Sequence, residues 1–243
     1  MSDQSGVTNP GYSGSMLLQR LQALLASLYD APVAYDAQDF LITDRHALNE
    51  LVGAAGERAD GSATGLNDEL SDEQVFVVHD RDGVRIGLYI DAAVIARLAH
   101  QDPTVALDGA NLHDFCTALE GVSHFHYLAW SLQRGREVSL LELELQAEVD
   151  KYASALTLMT RQHAGRFPSG LHSRLFDRIS FLPHLDAASR RRYEEANRHA
   201  ARFCRSLEER FLRCRQLRPE AWLSELRRFF RCSHQEKIRQ LAV

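Results

Sequence analysis

Apolar residues recur every three to four positions along most of the chain and every second position along only one short stretch. Met16, Leu17, Leu18, Leu21, Leu24, Leu25 and Leu28 hold helical spacing, with Ser15 placed to cap their first turn. Residues 29–40, YDAPVAYDAQDF, interrupt that pattern with Pro32 and alternating aromatic and acidic side chains, and read as an ordered loop. Asp44 caps a short helix through Leu51, and residues 53–73, rich in Gly, Ala and acid, read as a surface loop. The β-branched and aromatic runs at 75–78 and 84–90 flank Asp80-Arg81-Asp82-Gly83 and predict a hairpin over about residues 74–90, closed by a type I turn. Two strands alone are marginal in water, so the hairpin has to pack on helices or recruit a strand from the 29–42 region. Asp91 then caps a short helix that stops before Asp102-Pro103.

From Asn111 onward the pattern is helical. Asn111 caps a helix to about Gln133, ended by Gly135. Ser139 and Glu142 have capping-box spacing, and Leu141, Leu145, Val149, Tyr152, Leu156 and Met159 keep one face apolar for five turns, to about His163. A break at 165–170 precedes a helix over 171–182. Asp186 caps a long helix to about Arg215, with Tyr193, Ala196, Ala200, Phe203, Leu207 and Phe211 on one face. Pro219 opens another, carrying Trp222, Leu226, Phe229 and Phe230, and Ser233 with Glu236 forms a capping box for the last turns. These elements predict a mainly α fold. An irregular helical bundle over about residues 111–242 follows a small α+β section, 15–110, that holds the hairpin, with residues 1–14 as a flexible arm.

Composition narrows the class. The chain has 243 residues, 45% of them hydrophobic and 25% charged, and no run approaches the roughly 20 apolar residues of a membrane span. No Lys or Arg precedes the first apolar run, so a secretory leader is not expected. Cys116, Cys204, Cys214 and Cys232 include no C-x-x-C pair, which points to reduced thiols in a soluble, cytoplasmic protein. The net charge of −5 conceals a division: residues 1–150 hold 24 acidic and 8 basic side chains, residues 151–243 hold 9 and 20. No Gly- or Pro-rich linker marks the crossover, so the two halves are expected to pack as one unit. The basic residues are 26 Arg and 2 Lys, a bias that genome composition explains as readily as guanidinium chemistry does.

Candidate chemistry concentrates in NLHDFCTALEGVSHFHYLAW, residues 111–130. Leu112, Cys116, Leu119, Ser123, His126 and Trp130 share a core-facing seam, which makes His126 a core histidine bonded to a carbonyl or carboxylate. Beside it run His113, Thr117, Glu120 and His124. Imidazole and carboxylate on successive turns suit zinc or non-haem iron, and Glu142, Glu144 and Glu148 on the next helix offer further oxygens. The set His113, Glu120 and His124, with Glu148 as fourth ligand, is the candidate metal site; an ordinary intrahelical Glu120–His124 pair is the structural alternative. Glu195 and His199 repeat the four-residue spacing, whereas di-iron bundles space Glu and His by three. Nucleotide-binding glycine loops, serine-hydrolase elbows and H-E-x-x-H are absent. Cys116 faces the seam, where a thiol is inert.

Arg191, Arg198, Arg202 and Arg205 form a stripe opposite Tyr193 and Phe203. The stripe suits an acidic protein partner, self-association with the acidic half, or nucleic-acid phosphates. The reading this favours is a non-enzymatic adaptor or regulatory protein that binds an acidic partner through the Arg-rich face, with no membrane. The alternatives are a metal-dependent helical protein using His113, Glu120 and His124, and a nucleic-acid-binding protein.

Overall fold

The computed structural model describes residues 10–58, 64–65, 71–80, 83–177, 185–212 and 219–241. Helix α1, Pro10–Tyr29, starts five residues before the expected Ser15 cap, with proline in the first turn where its missing N–H costs nothing. Gln22 reaches across to the following loop, donating to the Tyr35 carbonyl and accepting from Ala37 N–H, each at 2.7 Å. A 3-10 turn, Ala37–Phe40, leads into β1, Leu41–Ile42. Helix α2, Arg45–Arg58, is entered through Asp44, which accepts from His46 N–H at 2.8 Å. It runs seven residues beyond Leu51, and β2, Thr64–Gly65, follows, so part of the expected 53–73 loop is regular structure.

The hairpin is present as β3, Glu73–Asp80, and β4, Gly83–Ile90, paired from Glu73↔Ile90 to Asp80↔Gly83. Pairing to Gly83 makes the connection shorter than the expected four-residue turn, and residues 81–82 lie outside the described set. The sheet order is β1-β4-β3-β2, with β1 parallel to β4. A strand from the 29–42 region therefore does complete it. Alternation along the strands sends Glu73, Val75, Leu88 and Ile90 to one face and Gln74, Phe76, Gly87 and Tyr89 to the other. The first face lies against the bundle; Phe76 and Tyr89 on the second pack with Leu48 of α2.

Helix α3, Ala92–His100, is capped by Asp91, and Arg97 on it makes a two-pronged pair with Asp114, at 2.7 and 2.8 Å. Helix α4, Leu112–Leu132, and α5, Leu140–Gln162, are buried on nearly every side, the mark of central helices. Asn111 does not cap α4 with its side chain, which instead donates to the carbonyls of Gln101 and Ala106. Ser139 caps α5 through Glu142 N–H at 3.2 Å, but the Glu142 carboxylate does not return the bond; it accepts from Tyr127 and Arg136. Helix α6, Leu171–Phe176, is shorter than expected, and residues 178–184 lie outside the described set.

Helix α7, Ala187–Leu207, capped by Asp186, packs along α5. Beyond it the chain continues as a π-helical turn, Glu208–Leu212, where Tyr152 of α5 donates to the buried Glu208 at 2.8 Å; residues 213–215 of the expected extension lie outside the described set. Helix α8, Pro219–Arg231, crosses α1, and α9, His234–Leu241, begins with the expected reciprocal Ser233–Glu236 capping box. A single apolar cluster runs from Leu17 of α1 through α4, α5 and α7 to Phe230 of α8. The chain is thus mainly α with a small α+β section near its N-terminus. No helix among the described residues is long and apolar enough to cross a membrane.

Candidate metal centre

The site lies where α4, α5, α7 and β3 meet. Helix α4 brings Glu120 and His124, four residues and one turn apart; α5 faces it with Glu144, Glu148 and Lys151 on one side. Strand alternation carries Glu73 to the α4-facing side of the sheet. Gly121 allows the close approach: a Cβ there would come within 2.8 Å of Leu88 and 3.2 Å of Glu73 Oε2.

His124 is the centre of the arrangement. It is 1% exposed, and neither ring nitrogen has a hydrogen-bond partner among the described residues. Its Nε2 stands 3.5 Å from Glu144 Oε2 and its Nδ1 3.9 Å from Glu73 Oε2. Buried polar nitrogens are nearly always satisfied, so an imidazole with two unmet nitrogens amid carboxylates is unusual. Ligand atoms of Glu120, His124 and Glu144 all lie within 4.8 Å of one another. Around a tetrahedral ion with ligands at about 2.0–2.1 Å, neighbouring ligand atoms sit roughly 3.3–3.4 Å apart, close to the His124–Glu144 separation.

The charges around this point are unequal. Glu73, Glu120, Glu144 and Glu148 gather with two permanent cations. Lys151 Nζ lies 3.0 Å from Glu120 Oε2 and 2.6 Å from Glu148 Oε1, and Arg192 Nε lies 3.7 Å from Glu144 Oε1. Burial works against the charged form of His124, but the carboxylates of Glu144, Glu73 and Glu120 outweigh it and hold the imidazolium up to about 9. Burial, reinforced by Glu120, pushes Glu73 well above the usual carboxylate range. Glu120 goes the other way, because Lys151 and then His124 overcome its desolvation. Tyr193 is raised by burial and by the same carboxylates.

Of the residues the spacing singled out, Glu120 and His124 belong to this group. His113 does not: it is exposed, and although offsets of 7 and 11 residues bring it close in angle, they place it roughly 10 Å and 16 Å along the axis from Glu120 and His124. Glu148 is close by, but its carboxylate is held by Lys151. Glu144, one of three glutamates offered by α5, is the one that meets His124. Glu195 and His199 pair at 3.5 Å, partly exposed and apart from the cluster of ligand atoms. Burial pushes the Cys116 thiol up to about 12, which keeps it protonated and unreactive. His126 is the expected core histidine, buried and packed near Phe230; neither nitrogen reaches full hydrogen-bond geometry, and burial lowers it to about 4 against a weaker opposing contribution from the Ala31 backbone.

Sequence reasoning missed Glu73, Lys151 and Arg192, and also a second buried network. There Asp150 accepts from Tyr29, from Ser123 at 2.6 Å and from Gln146 at 2.7 Å, while the wholly buried Lys237 donates to Tyr127 and Gln146 at 2.8 and 2.9 Å. One signal was available: the chain's two lysines, rare among 26 arginines, are the cations at the heart of these two networks. Arg191, Arg198, Arg202 and Arg205 are exposed along α7, and the first three have no ion-pair partner among the described residues. Arg205 approaches His172 Nδ1 at 3.4 Å. Comparison with protein-family models, curated proteins and solved structures returned no match to this chain.

Proposed function

We propose that the protein binds a divalent first-row transition ion through Glu120, His124 and Glu144, and that this ion is central to what it does. The observation that carries the reading is His124: fully buried, without a hydrogen bond at either nitrogen, and set between carboxylates from a facing helix and a strand. One imidazole with carboxylate oxygens is a donor set that suits zinc, manganese or iron. Glu73, on the Nδ1 side, would orient the ring, as carboxylates do behind histidine ligands. Three protein ligands leave a coordination position for water or substrate, the pattern of a catalytic rather than a structural zinc site. Bound there, the ion would supply Lewis acidity. Elemental analysis after dialysis of untagged protein against Zn2+ or Mn2+ tests this. We expect about one ion per chain in the wild type and at least roughly tenfold weaker binding in His124→Asn. Substoichiometric metal that His124→Asn leaves unaltered would overturn it.

A second reading rests on α7. Arg191, Arg198 and Arg202 are exposed and unpaired among the described residues, and Arg205 completes their face. This stripe suits the adaptor function, docking an acidic protein segment. Titration with polyglutamate should show binding that quadruple substitution of these arginines by Ala abolishes. Binding of single-stranded nucleic acid alone would instead favour phosphate recognition, with affinity falling steeply as salt rises.

A further inference from the structure

We infer that Lys151 occupies the place of a second cation, and so makes the centre a one-metal site. The inference rests on the proposed metal reading and adds to it the number of ions held. Bundle sites that hold two ions present carboxylates and histidines from facing helices, with a carboxylate shared between ions about 3.5–4 Å apart. This chain offers Glu120 and His124 from α4 and Glu144 and Glu148 from α5. Glu120 is the shared member: its carboxylate belongs to the cluster with His124 and Glu144, and its Oε2 also takes the Lys151 ammonium at 3.0 Å. Glu148 completes that second position at 2.6 Å.

The ammonium therefore sits between two carboxylates, one of which faces the imidazole. Its side chain is only 12% exposed and those of Glu120 and Glu148 are 20% and 16% exposed, so bulk counterions do little of this work. The residue type fits the task. Lysine presents a compact point charge, whereas the arginine fork requires flat, bidentate partners. In a chain with 26 arginines, one of the two lysines stands at this position. His124 separately marks the first position, because its buried imidazole stands at 3.5 Å and 3.9 Å from Glu144 and Glu73, without a hydrogen bond of full geometry, and the Lys151 ion pairs do not account for it.

Lys151→Met keeps the length of the side chain and removes its charge. Ions per chain are counted by native mass spectrometry after refolding and dialysis in Mn2+, and the pair is read by electron paramagnetic resonance. Wild type should hold one ion with an uncoupled spectrum. Lys151→Met should hold two, with the exchange-coupled spectrum of adjacent Mn2+ ions, and Glu148→Gln in that background should return the count to one. One ion in Lys151→Met, or a second that is uncoupled, would overturn the inference while leaving the metal reading intact. No ion in the wild type would instead remove the metal reading itself. Lys151→Arg keeps the charge and guards against a Met variant that does not fold: it should hold one ion, and two would overturn the inference.

Discussion

Two histidines two positions apart on α4 show how environment sets the meaning of a side chain. His126 is buried among apolar groups and lowered to about 4, so protonation favours the unfolded chain. The stability it protects is fully present above the ordinary histidine value of 6.5 and is lost as pH falls through about 4. Between about pH 7 and about pH 5 that loss amounts to about 2 kcal/mol. Urea unfolding at both pH values should show it in the wild type and much less of it in His126→Leu; equal losses in the two proteins would contradict the assignment. His124 has the opposite sign. Held up to about 9, it stabilises most below 6.5 and loses that contribution as pH rises. The sequence made both histidines visible, and helical spacing was enough to group Glu120 with His124. It did not reveal Glu73, because a contact between residues 73 and 124 depends on the sheet's placement, which no local pattern encodes. His113 was grouped by angle alone, and angle leaves out the two to three turns of rise that separate it from Glu120 and His124.

Elements matter here through how closely they approach. Gly121 is a glycine in a helix interior, a position that ordinarily costs up to about 1 kcal/mol relative to alanine. It is needed because Leu88 and Glu73 lie where a Cβ would go. Gly121→Ala should push the sheet off α4, draw Glu73 away from His124 and weaken Zn2+ binding by about tenfold, the scale of losing a ligand's supporting carboxylate. Gly87→Ala provides the contrast. Gly87 pairs with Phe76 across the strands, and a Cβ would fall 1.9 Å from the Phe76 ring, on the side of the sheet facing α2. It should destabilise the fold by about 1–3 kcal/mol while leaving Zn2+ affinity in the folded protein within about threefold. Calorimetric titration with thermal unfolding separates the two outcomes; equal effects on affinity would show that the approach at Gly121 is not what sets the site. The hairpin, α4, α5 and the caps at Asp91, Ser139 and Asp186 were legible because period and capping are local. The π turn after α7 was not, since the Tyr152–Glu208 bond that accompanies it links two different helices.

At the scale of the whole molecule, the division of charge into an acidic half and a basic half does not describe two charged surfaces pressed together. Among the described residues, the ion pairs seen to cross residue 150 are enclosed: Lys151 with Glu120 and Glu148, Lys237 with Glu142, and Arg192 with Glu144. Elsewhere the basic half holds the acidic one by its backbone. Arg227 donates to the carbonyls of Leu28 and Ser27, and Arg231 to that of Asp30, tying α8 to the exposed C-terminal carbonyls of α1. Enclosed pairs and guanidinium–carbonyl bonds are screened little by salt, whereas broad surfaces of opposite sign would lose attraction within a Debye length. Raising ionic strength from about 0.05 M to about 0.5 M should therefore change unfolding free energy by less than about 1 kcal/mol. Over the same range, polyglutamate binding to the exposed α7 arginines should collapse, because Arg191, Arg198 and Arg202 make no ion pair among the described residues. A steep loss of stability with salt would mean that the halves attract across their surfaces, and would leave the arginine stripe with an internal role instead of a partner.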